Sequence, residues 1–503
     1  MRLNTLTMIV GWSLCLIRSS FAIPTHDFNL EEALEEALEL HHNSRGEAWV
    51  KATDPLERFD NLFSTYFLKQ LVERGQFDLL FQAADEAFEM EIDRAKGMGS
   101  PPMPPLGLPY PPRPIHKGER GGLDGTSCRS CHFSGGPDGS GSGTSLAMFR
   151  GDGERIDSST LRDPPALLGV GYIVILAKQM TDDLRTQREK ALAVAKRVHA
   201  PFRIELSVQG VRFGWLTVHP NGRLDTTELK GISEDLVVRP LGWKGRHHNL
   251  VELTDEALAL HHGLQTDHRA QTYEAQSDVY LGSGPSWDKD QDQVIQELTG
   301  AHSAALAAYI TLISAPIYTP PTKSSDSWAW AKGRAWFEQI GCASCHRPSL
   351  RVKKEALHLE AGGQFPVNID INPFEHGQEP RVRRVDYSSN ATGQIPQGVP
   401  LFLFSDLKRH DMGEALADRV DEHVSNGQVV HKRLWLTRPL WGIASTAPYL
   451  HDGRAQTIEE AILAHGGEAM RAVELYQSLA DDERGQLRMF LMTLGREEVV
   501  LVE

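Results

Sequence analysis

Residues 340–348, which read IGCASCHRP, place Cys342, Cys345 and His346 in the spacing C-x-x-C-H. On a helical turn, two cysteines three residues apart present their thiols on the same side of the backbone. Such a pair of thiols can add to the two vinyl groups of a haem, and the histidine that follows can bind the iron. The motif therefore predicts a covalently attached haem c.

A second copy of the motif lies in TSCRSCHF, with Cys128, Cys131 and His132. The chain has five cysteines, and only Cys15 lies outside the two motifs. A zinc ribbon or a redox dithiol would also use paired cysteines. Neither of them accounts for a histidine directly after each second cysteine, so we predict two haem c groups per chain.

The first residues, 1–22, combine a basic start, a short apolar run and a small-x-small ending, as in a cleaved signal peptide. This run is too short to span a bilayer, and no later stretch is long and apolar enough to do so. We expect export to a bacterial periplasm, where haem c is attached. The formal net charge of −15 argues against nucleic acid as a partner, and it is compatible both with a basic electron-donor protein and with simple solubility.

Beyond the signal, the chain divides by composition and by repetition. An acid-rich helical segment, 23–97, precedes a proline-rich linker, 98–116. From there four features recur in the same order, which indicates two related domains at 117–316 and 317–503. We predict a mainly α fold: two cytochrome c-like haem domains in tandem, an N-terminal helical extension, and long loops such as 351–399.

The second half offers a candidate for the other axial position of its haem. Thr457 and Glu460 form a capping box that begins a helix, and Gly466 ends it directly after His465. His465 should therefore lie in the last helical turn, where the helix dipole favours an imidazole bound to a positively charged iron. The alternative is a histidine that only ends the helix.

The first half repeats this construction less clearly. A Glu-Ala pair precedes His261 and His262, just as another precedes His465. The Glu-Ala register selects His261, the His-Gly register selects His262, and Met148 is a further candidate ligand. The remaining histidines have no internal counterpart and are expected at the surface or in supporting positions, among them His410, His423 and His431.

Longer stretches then bring out a resemblance. The chain contains GWKGRH in the first half, and FSDLKRHDMGEALAD, PLWGIASTAPYLHDGRA and AILAHGGEA in the second. These stretches resemble the superfamily of bacterial di-haem cytochrome c peroxidases, and within it the di-haem oxidoreductase branch. The resemblance covers about residues 117–503 and is strongest after Gly341.

The resemblance implies roles for particular residues. Trp243 falls on a tryptophan that lies between the two haems of the peroxidases as an electron bridge, and Lys244 replaces the aspartate that follows it. His465 falls on their axial methionine. The His261–His262 pair falls near their distal glutamate, as acid-base catalyst or as ligand. The peroxidases also hold a calcium ion between their domains, which makes calcium a further candidate cofactor.

Together these observations predict a periplasmic di-haem oxidoreductase. Hydrogen peroxide or a related oxidant would be reduced at the first haem, and the second haem would relay electrons from a soluble donor protein. Histidine in place of a thioether ligand lowers the expected potential of the second haem. Two alternatives stay open: a non-catalytic di-haem electron carrier, and a haem enzyme that oxidises a partner protein or an organic substrate.

Overall fold

The computed structural model describes residues 65–91, 125–143, 145–149, 160–262, 264, 266–268, 298–316, 324–363, 366–376, 398–424 and 427–495. Helices form most of its regular structure. They are α1 (Thr65–Glu73), α2 (Phe77–Glu89), α3 (Val170–Val198), α4 (Leu250–His261), α5 (Gly300–Leu312), α6 (Ser324–Gln339), α7 (Pro373–His376), α8 (Ile458–Ala464), α9 (Met470–Ser478) and α10 (Asp481–Met492).

Small antiparallel sheets fill the spaces between the helices. The largest has three strands in the order β3 (Phe202–Val208), β4 (Val211–Val218) and β5 (Leu224–Asp225). The others are pairs: β1 (Ala147–Phe149) with β2 (Thr160–Arg162), β6 (Leu350–Val352) with β9 (Val399–Leu401), β7 (Leu357–Ala361) with β8 (Val367–Ile371), β10 (Arg409–Asp411) with β13 (Leu434–Leu436), and β11 (Glu422–His423) with β12 (Val429–Val430).

Two parts of the sequence prediction are wrong here. The stretch 351–399, expected as loop, contains most of β6 and all of β7, β8 and α7. In β7 and β8 buried and exposed residues alternate, which is the pattern of a strand with one face on the core. The three-stranded sheet over 202–225 was also missed within a region read as helical. The described residues are mainly helical, as predicted, with small sheets that the sequence analysis did not predict.

A large hydrophobic core surrounds α5, in which every residue is buried. Seven of the 13 residues of α5 are Ala, Gly or Ser, so α3, α4 and strands β7 and β8 can pack closely around it. This core includes residues of β6 to β9, which follow the second motif in sequence. The expected boundary at residue 317 stays a prediction.

A second, smaller core lies where α6 crosses α10. Phe337 on α6 packs against Phe490 on α10 and Phe404, with ring centroids 5.3 and 6.0 Å away respectively. Gly333 allows this crossing, because a Cβ there would lie 2.0 Å from the carbonyl oxygen of Gln486. Three acidic residues in the first turn of α10 complement its dipole. The helices predicted before the second motif and at the chain's end are thus confirmed.

The N-terminal segment contacts the first motif directly. Arg129, between the two cysteines of that motif, forms ion pairs with Asp85 (2.6 Å) and Glu89 (3.2 Å) of α2. The sequence predicted helix in this segment and assigned it no chemical role. The signal sequence 1–22 and the linker 98–116 lie outside the described residues. Within the described part, no helix has the length and apolarity needed to cross a membrane.

Candidate functional site

The first motif opens onto a cavity of ≈ 290 Å³, here called the first cavity. Cys128 and Cys131 are held by one turn, in which the amides of Cys131 and His132 donate to the carbonyl of Cys128. The rest of the wall is largely apolar and comes from α3, α4, α5 and the segment before α3, with Leu167, Val170, Ile173, Leu306 and Ile310 among its residues.

His132 is oriented by the backbone. Its Nδ1 lies 3.4 Å from the carbonyl oxygen of Gly139, and a carbonyl can only accept a hydrogen bond, so Nδ1 carries the hydrogen. Nε2 is then the nitrogen with a lone pair. Burial lowers the pKa of His132 to about 4, with a further contribution from the nearby His261. A neutral imidazole with an available Nε2 is what a metal requires.

The structure places the two neighbouring histidines differently. His262 is buried; its Nδ1 lies 3.0 Å from the carbonyl oxygen of Gly125, and its Nε2 lies 3.7 Å from Sγ of Cys128. His261, the last residue of α4, lines the first cavity and interacts electrostatically with His132. His262 is thus held against the motif itself, and His261 is the better placed of the two to act on a group bound by His132.

A cavity of ≈ 480 Å³, the second cavity, lies beside the second motif. A short 3-10 helix, Cys342–Ser344, places Cys342 and Cys345 on its wall, so a tight turn replaces the expected helix. Because the two cysteine pairs line separate cavities, they do not converge on one tetrahedral site. This arrangement excludes a shared four-cysteine zinc ribbon.

Two histidines face each other in the second cavity. The rings of His346 and His465 lie 6.4 Å apart, centroid to centroid. Nδ1 of His346 donates to the carbonyl oxygen of Phe404 (3.0 Å), and Nδ1 of His465 donates to that of Ala461 (2.6 Å). In both rings Nε2 therefore keeps a lone pair that can bind a metal. Burial lowers both pKa values, that of His346 to about 4. The capping box of Thr457 and Glu460 is present, and His465 follows directly after the last residue of α8.

His410 has a supporting position beside the second motif, which is one of the two alternatives expected for it from the sequence. It is buried on β10, with Nε2 2.8 Å from Asp406 and Nδ1 2.8 Å from Glu468. Its Nδ1 also lies 3.7 Å from Sγ of Cys345. Glu468 comes three residues after His465, so this network ties the segment that follows His465 to β10. The stretch FSDLKRHDMG contained the signal, but nothing in it marked His410 as buried.

The two cavities share a wall that includes Trp243, Asp163 and Arg438. Trp243 donates from Nε1 to the carbonyl oxygen of Asp163 over 2.7 Å. The amide of Asp163 in turn donates to the carbonyl of His451 in the second half (2.7 Å). Trp243 therefore lies at the junction of the halves with its ring between the two cavities.

Lys244, which follows Trp243, has a structural role. It is fully buried, and its Nζ donates to the carbonyls of Lys432 (2.8 Å) and Leu434 (3.0 Å). Nζ also lies 3.3 Å from Asp418 and 3.6 Å from the centroid of the Trp435 ring. Through these hydrogen bonds Lys244 links the first half to β13 and to the loop before it.

The sequence of the second half matches a known family. Residues 388–494 match the family model described as "Di-haem oxidoreductase, putative peroxidase". The match covers 107 of the 503 residues and shows what this part of the chain is similar to. The match confirms the resemblance proposed from the stretches after Phe404 and supports haem cofactors and a redox activity. No curated protein shows significant similarity to the chain.

Two solved structures are similar to parts of the chain. One is the hydrazine synthase of Kuenenia stuttgartiensis, with 19% identity over 38% of this chain and 55% of that chain and a TM-score of 0.22. The other is a MauG-like protein associated with microbial copper homeostasis, with 17% identity over 46% of this chain, 67% of that chain and a TM-score of 0.23. The chain thus spans about half of the hydrazine synthase chain. At such TM-scores the two likenesses carry no weight for function.

The two histidines of the second cavity have a spacing that suits a haem iron. Two metal–nitrogen bonds of about 2 Å each place facing nitrogens ~4 Å apart. The remainder of the 6.4 Å between the His346 and His465 centroids corresponds to two half rings. This centroid distance is therefore compatible with one iron held by both imidazoles.

Arg438 adds an independent indication for both cavities. It is half-buried, and desolvation lowers its pKa to about 10. Within the described residues, no carboxylate lies within ion-pairing distance of its guanidinium, whose bonds go to the carbonyls of Pro240 (3.3 Å) and Gly242 (3.4 Å). A cation withdrawn from water in this way is stabilised by an anion. The two carboxylates that a haem carries would supply it where the cavities meet.

Other predicted ligands remain untested. Met148 lies in β1, and its side chain is outside the described residues. Among the residues that are described, no group of three or more His, Cys, Asp or Glu side chains is arranged to hold a metal ion. The calcium ion stays a prediction.

Proposed function

We propose that the protein is an exported, periplasmic di-haem c oxidoreductase that reduces hydrogen peroxide or a related oxidant. The first haem would attach to Cys128 and Cys131 with His132 as ligand. The second would attach to Cys342 and Cys345, with His346 and His465 as its two axial ligands. A soluble donor protein in the periplasm would supply the electrons.

One observation carries this proposal. Each C-x-x-C-H motif lines its own cavity, each motif histidine has a second histidine near it in that cavity, and the cavities share a wall that includes Trp243. A protein with a single binding site would not require two such cavities side by side. Two redox centres that exchange electrons must lie close together, and adjacent cavities provide this.

When bound, haem supplies the redox chemistry of iron. The residues around it hold the axial nitrogens, exclude water and place protons. The carbonyl groups of Phe404 and Ala461 orient the rings of His346 and His465, respectively. With both histidines as ligands, the second iron would have no open position. This closure suits a centre that only relays electrons.

The first cavity carries the groups that can handle protons. Glu256 accepts two hydrogen bonds from Arg246 (2.6 and 3.0 Å) and a short one from Nε2 of His247. His247 and Arg246 hold the pKa of Glu256 well below its usual value against the effect of burial. Glu256 is therefore an anion that orients its partners. We assign proton delivery to His261, which lines the same cavity.

A specific observation favours a second candidate. His261 lowers the pKa of His132, and His465 lowers the pKa of His346 in the same way. His261 could therefore be a second ligand of the first haem, as His465 is proposed to be for the second. If His261 binds the first iron permanently, both centres are closed and the protein is an electron carrier. An enzyme that oxidises a partner protein or an organic substrate would need the open first site as well.

Peroxide consumption tests the proposal. Protein purified after export is reduced by one electron per chain and mixed with hydrogen peroxide, and the loss of peroxide is measured. We expect rapid consumption by the wild type and its loss in Cys128→Ala/Cys131→Ala, which lacks the first attachment site. Equal, slow consumption by both proteins would favour the carrier.

A further inference from the structure

Tyr309 is a buried phenol that the proposed reaction does not use. It lies on α5 and is fully buried. Its hydroxyl oxygen lies 2.6 Å from Oδ1 of Asp85 and 2.8 Å from Oδ1 of Asp138. A hydroxyl has one hydrogen to donate, so two carboxylates compete for the same proton. A buried tyrosine needs only one acceptor for its hydroxyl hydrogen.

The two carboxylates are not equivalent. Asp85 is half-exposed and pairs closely with Arg129 over 2.6 Å, which neutralises it. Asp138 is buried, so water solvates its charge far less than that of Asp85. Because burial favours the neutral form of a carboxyl group, Asp138 is the better proton acceptor of the two. Burial, followed by the charge of Asp138, raises the pKa of Tyr309, and loss of the phenolic proton to water is disfavoured.

An aromatic ring connects Tyr309 to the first motif. Phe88 of α2 lies 5.2 Å from the Tyr309 ring and 6.0 Å from the His132 ring, centroid to centroid. Tyr309 is thus separated from the proposed iron ligand by one side chain. A phenol can lose an electron at moderate potential only if its proton leaves at the same time, and the hydrogen bond to Asp138 provides that path.

We propose that Tyr309 is a redox-active tyrosine that donates one electron to the first cofactor and its phenolic proton to Asp138. The inference rests on the proposed function, since hydrogen peroxide supplies the oxidising equivalents. Peroxide takes up two electrons and two protons and forms two molecules of water. One of these electrons comes from Tyr309 through Phe88 and the other from the cofactor pair. The O–H bond of Tyr309 breaks and its proton adds to Oδ of Asp138. When an external donor later returns the electron, this proton moves back from Asp138 to the phenolic oxygen.

This role also explains why α2 covers the first motif. Asp85 and Phe88 both belong to α2, so the N-terminal segment supplies part of the hydrogen-bond network and the ring between the redox groups. Arg129 holds α2 in place from within the motif. A network that only stabilised the fold would need the ion pairs of Arg129 but not the hydroxyl group of Tyr309.

Freeze-quenched paramagnetic resonance tests the inference. Wild type, Tyr309→Phe, Asp138→Asn and Tyr172→Phe are mixed with hydrogen peroxide, and the radical signal, the peroxide loss and the bound haem are measured in each sample. Ring-deuterated tyrosine identifies a tyrosyl signal by its narrower hyperfine pattern. Tyr172 is the control because it is a buried tyrosine outside both cavities, and its hydroxyl donates to the carbonyl of Pro373 (2.9 Å).

We expect a tyrosyl signal in the wild type and in Tyr172→Phe, its loss in Tyr309→Phe, and loss of most of it in Asp138→Asn. Asparagine keeps the size of the side chain and tolerates the positive φ of 59° at this position, but it cannot accept the proton. Peroxide loss without a Tyr309-dependent signal would overturn this inference and leave the proposed function intact. If peroxide is not consumed and no radical forms, both are overturned.

Discussion

The imidazoles of His346 and His465 lie 6.4 Å apart with their planes inclined by 58°, and each is held by a backbone carbonyl through Nδ1. Both Nε2 atoms keep a lone pair, and desolvation lowers the pKa of both imidazoles, which favours their neutral form near pH 7. The second site is therefore built for two nitrogen ligands before any cofactor is considered.

His465→Met should raise the reduction potential of the second haem. A thioether favours ferrous iron more than a second imidazole does, and axial ligands set potentials over a range of about 0.8 V. We expect a rise that is a sizeable part of this range, with the iron still six-coordinate. Spectroelectrochemical titration measures it. An unchanged potential and spectrum would show that His465 only ends α8.

His261→Ala and His262→Ala should differ. If His261 delivers protons beside an open first site, its loss should lower peroxide turnover by about a hundredfold or more. His262→Ala should leave the spin state of the iron unchanged and cost about 1–3 kcal/mol of folding stability, because it removes a buried hydrogen bond to Gly125. Stopped-flow turnover and urea unfolding measure the two effects. Faster turnover in His261→Ala, with a change from low-spin to high-spin iron, would instead identify His261 as a ligand.

Trp243→Phe should slow electron transfer between the cofactors and leave two haems bound. The indole lines both cavities, and phenylalanine keeps an aromatic ring but loses the hydrogen bond to Asp163. We expect the rate to fall about tenfold or more, which corresponds to a barrier higher by roughly 1.4 kcal/mol. Trp328→Phe, at an exposed position on α6, is the matched control. Equal rates in the two variants would remove Trp243 from the electron path.

Asp163 should make stability depend on pH. Burial, followed by the charge of Asp452, raises its pKa from 3.8 to about 8. Because the protonated form is favoured in the folded protein, this contribution to stability is complete below pH 3.8 and is lost as the pH rises through about 8. Asp163→Asn cannot ionise and should lose less stability across this window.

Urea unfolding at several pH values between these limits measures the difference. Asp182→Asn is a suitable control, since Asp182 is exposed and paired with Lys178 on α3. If the wild type and Asp163→Asn show parallel pH profiles, Asp163 is not a buried acid in the folded protein.

The local patterns of the sequence were sufficient for much of the second site. The C-x-x-C-H spacing, the Thr457–Glu460 capping box and the position of His465 all depend on residues close together in the chain. The helices α6 and α10 were predictable for the same reason. Buried and exposed residues also alternate in strands β7 and β8. These strands are short and lie in a charged stretch without helical periodicity, so the stretch was predicted to be a loop.

The first site and its surroundings depend on distant contacts. Tyr309 meets Asp85 and Asp138 across 224 and 171 residues, and Arg129 reaches Tyr309 across 180. No local pattern marks such partners. The choice between His261 and His262 likewise depended on the bond from His262 to Gly125, 137 residues earlier.

The most direct test of the central claim is the pair of optical and paramagnetic resonance spectra of oxidised and half-reduced protein, recorded before and after the addition of hydrogen peroxide. We predict two covalently bound haems per chain, a low-spin second centre, a high-spin first centre in the half-reduced state, and consumption of peroxide as the spectrum of the first centre changes. Low-spin iron at both centres in every state, with no peroxide consumed, would contradict a peroxidase-like enzyme and identify an electron carrier.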